Sequence, residues 1–124
     1  MKTLPDQLPD FAIIGAMKAG TTTVYHYLLD HPDVGLSSMK ETDFFIRNKN
    51  YKFGEDWYRS QFAPGAKVYG EASPNYTMRD LFTKVPENLQ KSSPNAKLIF
   101  LARDPVARFV SHFRHAWLLG HIQV

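Results

Sequence analysis

The stretch Phe11-Ala12-Ile13-Ile14-Gly15-Ala16-Met17-Lys18-Ala19-Gly20-Thr21-Thr22-Thr23 passes from an apolar run, through a loop bounded by two glycines, into a run of threonines. Four apolar residues ahead of a glycine read as a buried strand. Residues 21–29 read as a helix, stopped near His31 by Pro32. Glycines five apart let the backbone turn tightly with its N–H groups pointing inward. The helix that follows aims its positive end at the same point. Lys18 adds a full charge there, and Thr21, Thr22 and Thr23 add hydroxyl donors. Strand, loop and helix together describe a cradle for a phosphate or sulfate group.

Working outward, residues 34–36 form a second short strand candidate and residues 56–62 a helix, with Trp57, Tyr58 and Phe62 as its apolar surface. Pro64-Gly65 marks a turn, and residues 68–71 read as another strand. Residues 80–89 read as helix in pieces, interrupted by Pro86. Leu98-Ile99-Phe100-Leu101, within residues 97–102, is the strongest buried-strand signal in the chain. Asp104-Pro105 then opens a helix, aspartate as cap and proline in the first turn. Val106, Phe109, Val110, Phe113 and Trp117 give that helix an apolar face. Strands alternating with helices predict an α/β fold with a mostly parallel sheet. Ligands in such folds sit beyond the C-terminal ends of the strands. The loops after Ile14, Tyr69 and Ala102 occupy that position.

Composition narrows the function classes. The 124 residues suit one domain, and no apolar run approaches the roughly 20 residues that span a bilayer. The first ten residues carry two aspartates and two prolines and do not read as a signal peptide. Without cysteine there are neither disulfides nor thiolate metal sites, and a cytoplasmic setting is the default. The net charge of +3 suits an anionic ligand but is too small, and too scattered, for a nucleic-acid partner. The five histidines show no metal-ligand pattern; His112 and His115 lack a third partner.

The loop departs from the P-loop of nucleoside triphosphatases, in which lysine directly follows the second glycine. Here Thr21 holds that slot and Lys18 lies inside the loop, which suits a single phosphoryl group rather than a triphosphate chain. At the end of the fourth strand candidate, Arg103 offers a planar fork for phosphate oxygens. Ser111, two turns into the next helix, could add a hydroxyl to the same anion. Asp104 is read as the helix cap rather than as a magnesium ligand.

These segments together resemble the sulfotransferases that use 3′-phosphoadenosine 5′-phosphosulfate (PAPS). Residues 13–23 look like their 5′-phosphosulfate loop, and residues 98–111 like their 3′-phosphate segment. Lys40-Glu41-Thr42-Asp43-Phe44-Phe45 and Gly70-Glu71-Ala72-Ser73-Pro74-Asn75-Tyr76 are similar to the heparan sulfate N- and 3-O-sulfotransferase branch and its bacterial relatives. The resemblance implies a P-loop-like three-layer fold, one PAPS per site and no metal. It implies that Gly15, Ala19, Gly20, Thr21, Thr22 and Thr23 form or line the 5′-phosphate cradle. Lys18 would stabilise charge on the leaving group, and Arg103 and Ser111 would hold the 3′-phosphate. Glu71 would be the general base, and Lys40 would lie near the transferred sulfuryl group. The acceptor would present a hydroxyl or an amine, with a saccharide favoured. Chains of this family continue well past their 3′-phosphate helix, so residues 1–124 are expected to be the N-terminal portion of one sulfotransferase domain. As a truncated piece, the chain is expected to leave a sheet edge and apolar surface uncovered and to be poorly active alone.

Two other readings remain at this level. A P-loop kinase or triphosphatase would need a lysine in place of Thr21 and a magnesium acid. A non-catalytic nucleotide-binding module would keep the loop but be indifferent to Glu71→Gln.

Overall fold

The apolar run that opens the reading becomes the inner strand of a parallel sheet. The computed structural model describes residues 3–17, 19–78 and 80–120. Strands β1 (Phe11–Gly15), β2 (Val34–Leu36), β3 (Val68–Ala72) and β4 (Lys97–Phe100) lie in the order β2-β3-β1-β4. Every pairing is parallel. Ala12 stands opposite Glu71 on one side and Leu98 on the other; Ile13 stands opposite Ala72 and Ile99. The chain thus builds toward β2 and β3 first and then crosses to β4. This reversal of direction at β1 opens a crevice at its C-terminal end.

Alternation along the strands divides the core between two faces. Ile13 and Ala72 pack with Tyr25, Val24 and Leu28 of α1 (Thr21–Leu29), joined by Phe11, Leu36, Ile99 and Leu101. On the other face, Tyr69 and Ile14 meet Tyr58 of α2 (Gly54–Ser60) and Val85 and Leu89 of α3 (Val85–Ser92). Helices on both faces of a parallel sheet make the three-layer α/β fold that the strand–helix alternation predicts. Phe44, Phe45 and Ile46 belong to this second core although they lie in no helix or strand. Phe44 stacks on Tyr58 with ring centroids 4.4 Å apart. Burying such side chains contributes about 1.5–3 kcal/mol each and fixes the path of segment 40–46.

Three elements differ from the sequence reading. Helix α2 starts two residues before the expected 56–62 span and ends at Ser60; Glu55 and Asp56 fall in its first turn, where acidic groups favour a helix start. Pro86 does not interrupt a helix over 80–89. It stands in the first turn of α3, where no backbone N–H is required, and the helix runs on to Ser92. Strand β4 ends at Phe100, short of the expected 102, and among the described residues pairs with β1 alone: Ile99 packs against the α1 face, whereas Leu98 and Phe100 are more than half exposed, the uncovered sheet edge that the sequence led one to expect. The final helix, α4 (Pro105–Leu118), starts as expected, with the Asp104 carboxylate accepting from Ala107 N–H at 2.9 Å.

Candidate functional site

The glycine-bounded loop joins β1 to α1 where the crevice opens. Its first residues are tied to the far end of β4: Leu101 N–H donates to the Gly15 carbonyl at 2.7 Å, and Ala16 N–H donates to the Leu101 carbonyl at 3.0 Å. Gly15 has no room for a side chain, since a Cβ there would lie 2.7 Å from Thr77 Oγ1. Gly20 precedes α1 with φ of 95°, in the left-handed region that favours glycine. Among the described residues no side chain caps α1, and an uncapped helix start suits an anion.

A cleft of 480 Å³ opens in front of that helix end. Gly20, Thr21 and Thr22 line it from the loop, Lys40 and Glu41 from the segment after β2, and Pro74 from the turn after β3. Arg103, Ser111 and His115 line it from the bend before α4 and from α4 itself. Lys40 Nζ donates to Thr22 Oγ1 at 2.6 Å and lies 4.0 Å from Glu41 Oε1. Arg103 and Ser111 also border an adjoining recess of 410 Å³ together with Arg114. The cleft therefore gathers backbone N–H groups, hydroxyls, a lysine and an arginine around space for an anionic ligand, with one carboxylate on its wall.

Of the residues singled out in the sequence, Gly20, Thr21, Thr22, Lys40, Arg103 and Ser111 come together on this cleft. Gly15, Ala19 and Thr23 do not line it. Gly15 lies beneath the loop, and Ala19 N–H closes a turn onto the Ala16 carbonyl at 3.1 Å. Lys18 lies outside the described residues. Glu71 is on β3 but completely buried and is not among the lining residues. Its Oε1 accepts from Tyr76 O–H at 2.5 Å and its Oε2 accepts from the Thr42 hydroxyl. Burial raises its pKa from 4.5 to about 7, against the lowering effect of those hydrogen bonds. The carboxylate that does reach the cleft is Glu41, which the sequence reading passed over beside Lys40. Arg114 was also missed, and His115 was weighed only as a metal ligand; their signal was spacing, one helical turn or so beyond Ser111 on one face of α4.

The sulfotransferase domain family matches this chain over residues 8–123. The chain belongs to that family. It is 41% identical to the membrane-associated sulfotransferase kil1 of Dictyostelium discoideum, with 90% of this chain and 24% of that protein covered. It is 34% identical to mouse heparan sulfate glucosamine 3-O-sulfotransferase 5, covering 89% of this chain and 31% of that one. Human bifunctional heparan sulfate N-deacetylase/N-sulfotransferase 3 is 35% identical, covering 89% of this chain and 13% of that one. The crystal structure of a sulfotransferase from Alicyclobacillus acidocaldarius superposes with a TM-score of 0.78 at 26% identity, covering 94% of this chain and 53% of that chain. This sulfotransferase domain therefore spans between about an eighth and a third of the length of these curated relatives. Among its described residues no helix is long and apolar enough to cross a membrane.

Proposed function

We propose that this sulfotransferase domain transfers a sulfuryl group from PAPS to a hydroxyl or amine of a saccharide acceptor. The observation that supports the proposal is the cleft itself, whose lining includes the loop, the start of α1, Arg103 and Ser111. The donor carries one phosphate on the 5′ carbon and another on the 3′ carbon of its ribose, and the cleft lining offers two groups suited to anions. In this reading the α1 N-terminus, Gly20, Thr21 and Thr22 hold the 5′-phosphate, with Gly15, Ala19 and Thr23 shaping the loop behind them. Arg103 and Ser111 hold the 3′-phosphate. The saccharide class rests on the relatives, two of which are named for heparan sulfate.

The reaction is an in-line displacement at sulfur. The acceptor oxygen or nitrogen forms a bond to sulfur as the sulfur–oxygen bond to the 5′-phosphate breaks. Charge grows on that phosphate, where Lys18 and the first-turn N–H groups of α1 stabilise it. Lys40 stands beside Thr22 and neutralises the sulfuryl oxygens. The proton of the acceptor goes to a carboxylate. Glu41 takes that role here in place of Glu71, because Glu41 borders the cleft while Glu71 has both oxygens engaged in the core.

The test is a calorimetric titration of the intact protein with 3′-phosphoadenosine 5′-phosphate, beside ATP with magnesium. Preference for the 3′-phosphorylated ligand, lost in Lys18→Ala and Arg103→Ala, is expected. Glu41→Gln should keep that binding while lowering turnover by at least about a hundredfold. Preference for magnesium-ATP would move the protein to nucleotide-phosphate chemistry.

A further inference from the structure

Lys40 and Glu41 lie in a stretch with no helix or strand to hold it, yet an in-line transfer needs both side chains in fixed places. The next residue supplies the anchor. Thr42 is completely buried, and its hydroxyl donates to Glu71 Oε2. The same hydroxyl accepts from Phe44 N–H at 3.3 Å, and Asn50 Nδ2 donates to the Thr42 carbonyl at 2.6 Å. Tyr76 O–H donates to the other carboxylate oxygen of Glu71 and accepts from Phe45 N–H at 3.5 Å. One residue further, Asp43 N–H donates to the buried Ser73 hydroxyl at 3.2 Å. The segment is thus fastened to β3 and to the turn after it, and β3 is fastened to β1 with Glu71 opposite Ala12. Ala12 is three residues ahead of Gly15, where the phosphate loop begins.

From this arrangement we infer that Glu71 is a positioning residue: through Thr42 and Tyr76 it indexes the Lys40–Glu41 wall to the same strand pair that carries the phosphate loop. The inference rests on the sulfotransferase reading for what the wall does, and on the hydrogen-bond geometry for how it is held. A buried carboxylate is costly unless its acceptor sites are filled. The two hydroxyl donors fill them, and each donor in turn accepts from the backbone of residues 44 and 45. The Tyr58 hydroxyl lies beside the Glu71 carboxylate in the same buried pocket but outside hydrogen-bonding geometry with it. Thr42 and Tyr76 tie the carboxylate to the backbone of residues 44 and 45, and a bond taken up by Tyr58 in place of either would leave the segment without that tie.

Thr42→Val keeps the shape and deletes the donor; Thr42→Ser restores it; Glu71→Gln tests the acceptor. Measured on the intact protein with PAPS and a heparan-type saccharide, Thr42→Val is expected to lower kcat by about tenfold while the Kd for 3′-phosphoadenosine 5′-phosphate stays within about twofold. Thr42→Ser should recover the rate. Amide hydrogen exchange should speed up across residues 40–46 in Thr42→Val and Glu71→Gln, with β1 and β3 still protected. Wild-type kcat and wild-type exchange in Thr42→Val would overturn the inference. So would an acidic limb of the pH–rate profile that moves upward in Thr42→Val, since that would make Glu71 itself the titrating proton acceptor. If the unaltered protein neither binds the nucleotide nor transfers sulfate, the sulfotransferase reading fails, and the exchange measurement still decides whether Glu71 holds the segment.

Discussion

Glu71 and Glu41 show how far residue identity alone decides chemistry. Both are glutamates close to a strand end or a lysine, and either could accept a proton on sequence grounds. Burial separates them: β3 alternates, so Tyr69 and Glu71 share the face that packs against α2, whereas Glu41 stays on the cleft wall. The buried carboxyl carries a signature that can be measured. Burial raises its pKa to about 7, so the folded state keeps a proton that the unfolded chain releases above about pH 4.5. Stability from this group is therefore greatest at the acidic end and falls as pH rises from about 4.5 through about 7, by on the order of 3 kcal/mol. Urea unfolding of the wild type and Glu71→Gln, run side by side across that window, should show a slope in the first that is missing from the second. Parallel curves would mean that Glu71 titrates in the fold as it does in water. That residues 68–71 form a strand was readable from the sequence. What could not be read was that a segment without regular structure would close over Glu71, because that closure depends on Phe44 and Phe45 entering a core built from distant residues.

At the scale of elements, the strands, α1 and the start of α4 were legible because their signals are local. Apolar runs ending in glycine, Pro32 after a helix and Asp104-Pro105 before one each act over a few residues. The misreading of Pro86 has a plain cause. Pro86 can end a helix or begin one, and only the left-handed Lys84 before it, with φ of 68°, shows that α3 begins there. Leu98-Ile99-Phe100-Leu101 is apolar enough for a central strand; among the described residues it pairs with β1 alone, which matches the uncovered sheet edge expected of a chain that spans only part of its relatives. The cap of α4 was read correctly and lends itself to a direct test. Asp104 satisfies one N–H of the first turn, and Arg103 and Ser111 lie on either side of that turn. Asp104→Ala should lower stability by about 1 kcal/mol in denaturant titration and weaken 3′-phosphoadenosine 5′-phosphate binding in the same protein. Unchanged stability with unchanged affinity would mean the start of α4 is held by something other than its cap.

For the molecule as a whole, the two faces of the sheet are unequally covered. The α1 side and the α2–α3 side of β1 and β3 are closed, but the surface around β4 and α4 is strongly apolar. Val106 is 70% exposed, Phe109 69% and Trp117 53%, while Leu98 and Phe100 of the edge strand are 57% and 56% exposed. Phe109 and Phe113 stack on each other with centroids 6.3 Å apart, so part of this face is already preorganised as a patch. An open strand edge beside such a patch favours association, and a net charge of +3 on 124 residues provides little repulsion against it. Residues 1–124 alone should therefore bind an apolar dye in the folded state and lose solubility as concentration rises. Phe109→Lys with Trp117→Lys should reduce both effects while leaving the cleft intact, because neither residue lines it. The comparison is made by dye fluorescence and sedimentation velocity under conditions where both proteins are folded. A wild-type chain that stays monodisperse and dark to the dye would show that the α4 face packs onto the sheet more tightly than these exposures describe. In that case the apolar periodicity of α4 would be core after all, as its sequence first suggested.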